Sequence, residues 1–155
     1  MPEWSTPFEE IQIGKGKKLK SGDDLAILSF GPLGNYAMKA SEQLELQGVS
    51  VAVYDMRFAK PLDEAILHEV FEKHQRVVTI EDGCLQGGFG SAVIEFMADN
   101  GYSSIIKRLG ISDMIVEHGE PNELYRECGI DTAGIIKTVH EFLDTKLSAK
   151  AVALN

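Results

Sequence analysis

At 155 residues and 44% apolar composition, the chain has enough material for one shared hydrophobic core, and a single domain is the expectation at this length. With 15 basic against 24 acidic side chains its formal charge is −9, so the surrounding field repels DNA, RNA and anionic lipid surfaces and argues against all three as partners. Its longest apolar runs fall far short of the roughly 20 residues that cross a bilayer, and no apolar signal core opens it, which points to a soluble cytoplasmic protein.

In chain order, Met1 to Glu10 reads as an arm or linker remnant, the whole leading segment being 1–13, ahead of a domain over 14–145 and a polar tail over 146–155. Lys17 to Lys20, followed by the turn-like Ser21-Gly22-Asp23-Asp24, suits an antiparallel edge strand whose charge discourages pairing with other molecules; it is assigned no ligand. Leu25 to Phe30, Val49 to Asp55, Arg76 to Glu81 and Ser104 to Leu109 are short β-branched runs, apolar on both faces, as buried parallel strands are.

Helical periodicity fills the gaps between them. Ala37, Ala40 and Leu44 line one side of Asn35 to Gln47, and Gly48 stands where a left-handed residue ends a helix. Asp63 caps a second helix carrying Ile66, Leu67, Val70 and Phe71 towards His74. Ser91 to Asp99 forms a third, Asn122 to Glu127 a short one after Pro121, and Asp131 opens the last, with Ile135, Ile136, Val139, Phe142 and Leu143 on one side. Strands alternating with helices predict an α/β fold: a three-layer sandwich around a mostly parallel sheet of about five strands with one antiparallel edge strand.

Chemistry-bearing residues are few. Cys84 and Cys128 lack the spacing of a metal site or a redox pair and read as reduced thiols. The run Gly83 to Ser91 leaves a strand and enters a helix, where free backbone amides hold anions in other proteins. Yet the dinucleotide fingerprint that would start at Gly88 and Gly90 meets Val93 at its third glycine, and no P-loop occurs. Steric need for glycine at Gly87, Gly88 and Gly90 is the better reading. Glu81 and Asp82, adjacent on a strand, point to opposite faces and cannot flank one bond; one of them is free to cap a helix or meet a neighbouring domain. His118 lies in a loop. Arg57, in the loop that leaves the carboxyl end of a strand, suits a carboxylate or phosphate held bidentately or an interdomain contact, and with no nucleophile or base nearby the contact is the better reading.

Three blocks then resemble the C-terminal domain of the transketolase-like thiamine enzymes, most closely that of the 1-deoxy-D-xylulose-5-phosphate synthases. They are Gly14-x-Gly16 with Asp24-Leu25-Ala26-Ile27-Leu28-x-Phe30-Gly31, then Asp55-Met56-Arg57-Phe58-x-Lys60-Pro61-Leu62-Asp63, then Glu81-Asp82 through Gly87-Gly88-x-Gly90-Ser91. Leu109-Gly110-Ile111 and Glu117-His118-Gly119 follow in order, with departures at Ser112, usually proline, and Ile115, usually aromatic.

The resemblance implies a larger homodimeric enzyme that uses thiamine diphosphate and Mg2+ to condense pyruvate with glyceraldehyde 3-phosphate, releasing carbon dioxide, for isoprenoid, thiamine and pyridoxal synthesis. Its cofactor motif, its activating glutamate and its Tyr-Pro-Arg-Gly element are not in this chain; Gly22-Asp23-Asp24 only echoes the metal motif. The expectation is therefore a third domain without catalytic, cofactor or metal residues of its own, packed against two cofactor-binding domains. Its candidate contacts are Asp55, Arg57, Glu81, Gly87, Gly88, Gly90 and His118. The alternatives are the same domain of a transketolase or of a 2-oxo acid dehydrogenase β subunit, or a free-standing module that binds an anion at Gly87 to Gly90.

Overall fold

In a computed structural model, which describes residues 10–144, the lysine run forms β1 (Lys17–Lys20) and the four apolar runs form β2 (Leu25–Phe30), β3 (Val51–Asp55), β4 (Arg76–Cys84) and β5 (Ile105–Ile111). The expected polar tail and residues 1–9 of the expected arm lie outside the described residues. One sheet results, in the order β1-β3-β2-β4-β5, parallel throughout except that β1 runs antiparallel to β3.

Helices cover both faces, as strands apolar on both sides require. Leu25, Ile27, Val51, Val53, Val78 and Ile80 turn towards α1 (Gly34–Leu46) and the final helix; Ala26, Leu28, Ala52, Tyr54 and Val77 turn towards α2 (Glu64–Lys73) and α3 (Phe89–Asp99). The short α4 (Pro121–Glu127) buries no residue fully, whereas α5 (Thr132–Asp144) buries Ile135, Thr138, Val139 and Phe142. Among the described residues no helix is long and apolar enough to cross a membrane.

Most boundaries shift by a residue or two from the sequence reading, and three of the shifts have a plain local reason. Val49 is not yet strand, because Gly48 takes a φ of 82° and the Val49 amide donates back to the Leu44 carbonyl, closing α1. β4 continues past Glu81 to Cys84, which pairs with Ile111 after a register irregularity. α3 begins at Phe89 rather than Ser91 because a distant carboxylate caps it, as described below.

The lysines of β1 bind both helical layers. Lys18 pairs with Glu69 on α2, and Lys20 pairs with Glu45 on α1 at 2.8 Å. Hydrogen bonds from Lys18 and Lys73 hold the Glu69 carboxyl down at about 2. The edge charge thus fastens the strand as well as discouraging further pairing.

Candidate functional site

The carboxyl ends of β2 to β5 bring Phe30, Asp55, Glu81 to Cys84 and Ile111 to one edge of the sheet. Because β1 is antiparallel, Lys17 sits opposite Asp55, and Gly14 to Gly16 reach that edge too. The blocks around Gly14 to Gly16, Asp55 to Asp63 and Glu81 to Ser91 therefore reach one margin, the side on which open α/β sheets place functional loops.

At its β3 end, Arg57 adopts a φ of 56°, a left-handed conformation that costs a non-glycine residue on the order of 1 kcal/mol. Asp55 holds it there: Oδ1 accepts the Arg57 amide at 3.1 Å, and Oδ2 lies 3.7 Å from the guanidinium Nε. Asp63 then ties two blocks together. It caps α2 by accepting the Ile66 amide at 3.4 Å and also accepts the Gly16 amide at 3.0 Å and the Lys15 ammonium at 3.4 Å. Gly14 closes the contact, since a Cβ there would stand 2.8 Å from Pro61.

Burial raises the Asp63 pKa, but the Gly16 and Ile66 amides with Lys15 outweigh it and hold the carboxyl below its ordinary value. Asp63→Ala is expected to lower unfolding free energy by about 2 kcal/mol, a cap and a second amide being lost together, measured by urea titration at pH 7. A carboxyl depressed in the folded state stabilises fully above its unfolded value of 3.8, and that contribution fades as pH falls through the folded one. The gap between Asp63→Ala and the parent should therefore narrow below pH 3.8; a gap independent of pH would contradict this role.

In the glycine loop the amino end of α3 already carries a negative charge. Glu81 is 3% exposed, and its carboxylate accepts the Phe89 amide at 2.7 Å and the Gly90 amide at 2.9 Å. A Cβ on Gly88 would fall 2.2 Å from both the Cys84 carbonyl and Glu81 Oε2, and one on Gly90 would fall 2.5 Å from Thr79 Oγ1. Gly87 donates to Ser91 Oγ at 3.1 Å. The glycines are there for close approach, and the dipole that would attract an external anion faces the chain's own carboxylate.

The chain leaves β2 for one helical layer and β4 for the other, so the edge between these adjacent strands is the topological switch point. Standing there are Phe30, stacked on Phe89 with ring centroids 5.5 Å apart, and the buried Glu81. Among the described residues no three His, Cys, Asp or Glu side chains are placed to share a metal ion.

Beyond β5 the surface is different. Asp82, exposed and facing away from Glu81, accepts the Tyr125 hydroxyl at 2.7 Å, and that hydrogen bond, helped by burial, pushes the phenol up to about 12. Tyr36 meets the Tyr125 ring edge-on at 5.5 Å and donates to Asn122. Together they strap α4 over an apolar groove of about 240 Å³ formed by Ile111, Val116, Leu124, Tyr125, Cys128 and Ile130. His118 is exposed in the loop beside it, at the opposite end of the edge from Asp55 and Arg57. Sequence reasoning missed this groove: its walls come from several short segments, none with a telling period.

The family described as "Transketolase, C-terminal domain" matches residues 14–135. A protein of Cytophaga hutchinsonii named 1-deoxy-D-xylulose-5-phosphate synthase is 59% identical over 139 residues, which is 90% of this chain and 22% of that protein. One of the same name from Bacteroides fragilis is 53% identical over 138 residues, 88% of this chain and 21% of that one. The chain thus spans about a fifth of these relatives' length. A solved structure described as "Split gene transketolase, inactive beta4 tetramer" superposes with a TM-score of 0.82 at 31% identity, over 92% of this chain and 46% of that one. The transketolase of Campylobacter jejuni shares the fold at a TM-score of 0.59 and 16% identity, over 86% of this chain and 19% of that one.

Proposed function

This chain belongs to the transketolase C-terminal domain family, and on that premise we propose that it serves as the C-terminal domain of a 1-deoxy-D-xylulose-5-phosphate synthase. The observation that carries the reading is 59% identity over 90% of this chain to a protein of that name, of which it spans only 22%. The whole enzyme is a thiamine diphosphate- and Mg2+-dependent transferase of the cytoplasm. It condenses pyruvate with glyceraldehyde 3-phosphate as carbon dioxide leaves. This domain packs against the two cofactor-binding domains of a homodimer.

The residues present do not fit the cofactor. A diphosphate needs free amides and a metal needs converging oxygen ligands; here the first amides of α3 hold Glu81, and no acidic cluster converges among the described residues. On this reading the domain's part is structural. Its contact surface is the carboxyl edge, with Asp55, Arg57, Gly87, Gly88 and His118 facing outward partners, while Glu81 and the buried Gly90, whose amide it holds, serve from inside by fixing that loop.

Two measurements test the reading. Calorimetry of the isolated chain with thiamine diphosphate and Mg2+ is expected to give no binding heat. A chimera of the Cytophaga hutchinsonii relative, with its matching segment exchanged for residues 14–143 of this chain, is expected to turn over pyruvate with glyceraldehyde 3-phosphate. Stoichiometric cofactor binding by the isolated chain, or a folded chimera without turnover, would overturn the proposal.

A further inference from the structure

The groove beneath α4 is an apolar hollow at the β5 end of the carboxyl edge, and the residues around it are unevenly charged. Between Ile111 and Ile130 the chain carries Asp113, Glu117, Glu120, Glu123 and Glu127 against a single arginine, Arg126. Glu117 and Glu120 adjoin the lining residues Val116 and Pro121, and the exposed Asp82 stands in the lining itself. Ile115 is 93% exposed and Met114 51%, immediately before Val116. α4, unlike the other α-helices, has no fully buried residue. Contiguous apolar surface with a polar rim marks a protein contact.

Charge selects the occupant. A second copy of this chain would bring the same carboxylates to the rim, and a polyanion would be repelled; a cationic surface is the complement. We infer that this groove docks a protein segment presenting one large apolar side chain flanked by lysine or arginine. Resting on the reading proposed above, that segment belongs to the companion domains of the same enzyme. The apolar side chain enters between Ile111 and Leu124, with Met114 and Ile115 closing over it, and its basic neighbours lie against Glu117, Glu120 and Asp82.

The test uses the chimera and the isolated chain side by side, with amide hydrogen exchange over residues 111–128 as readout. Exchange in this segment is expected to be at least about tenfold slower in the chimera than in the isolated chain. The double variant Glu117→Lys with Glu120→Lys, both side chains being exposed, should return it to the isolated rate, as should Ile115→Asp. Equal exchange in chimera and isolated chain overturns the docking. Protection that survives the charge reversal but not Ile115→Asp overturns its basic character. Sedimentation of the isolated chain as a dimer that Ile115→Asp dissolves makes a second copy the occupant, against the inference. Turnover separates the two proposals: an active but unprotected chimera sinks only the docking, and a protected but inactive one sinks only the synthase reading.

Discussion

Glu81→Ala is expected to lower the unfolding free energy by about 3 to 5 kcal/mol, the largest loss of any single polar truncation considered for this chain. The carboxylate is 3% exposed and accepts two backbone amides, from Phe89 at 2.7 Å and Gly90 at 2.9 Å. Both donors lie in the first turn of α3, where no intrahelical carbonyl is available to them. Hydrogen bonds to an ionised acceptor contribute about 1.5 to 3 kcal/mol each, and removing the acceptor leaves two buried donors without partners. Glu81→Gln keeps the shape but offers only one carbonyl oxygen, so it should lose about half as much. Urea titrations at pH 7 provide the comparison, and an alanine variant within about 0.5 kcal/mol of the parent would show that the amides find other acceptors. Alanine also uncovers the amino end of the helix, so added phosphate should raise the melting temperature of Glu81→Ala and leave the parent unmoved.

Gly134→Ala should destabilise by about 2 kcal/mol, although intrinsic propensity alone favours alanine over glycine inside a helix by about 1 kcal/mol. Gly134 lies in the first turn of α5, where its amide donates to Asp131 Oδ1 at 2.8 Å. A Cβ there would stand 2.2 Å from the carbonyl oxygen of Gly129 and 2.5 Å from its carbon. Those atoms are backbone and cannot swing aside as the end of a side chain can. Gly129 itself has a φ of 68° at the turn between α4 and α5, so relief would require moving the whole connection. Thermal and urea unfolding should therefore agree in sign; a variant as stable as the parent would mean that the α4–α5 turn is slack.

Those two glycine and glutamate positions mark where local reading stops. Strand and helix identities were legible because burial imposes a period on the sequence: Val51, Ala52 and Val53 are apolar on successive faces, and Leu67, Val70 and Phe71 recur at helical spacing. Asp63 was recognisable as a cap because its partner, Ile66, is three residues away. Its second partner, Gly16, is 47 residues away, and nothing in the sequence announces it.

From the amino-acid order alone came the layered α/β architecture, the lysine edge strand, the blocks that match a family, and the absence among them of that family's cofactor motifs. Only the tertiary structure decided that Glu81 caps α3 from the strand before it, that Phe30 and Phe89 stand together at the switch point, and that Asp82, Ile111, Leu124 and Ile130 meet around an acidic-rimmed groove. The physical reason is range. Hydrophobic periodicity and capping act between residues a few positions apart and leave their mark in the sequence, whereas a groove or a buried carboxylate is made by strand order, which brings together residues whose separation along the chain follows no rule.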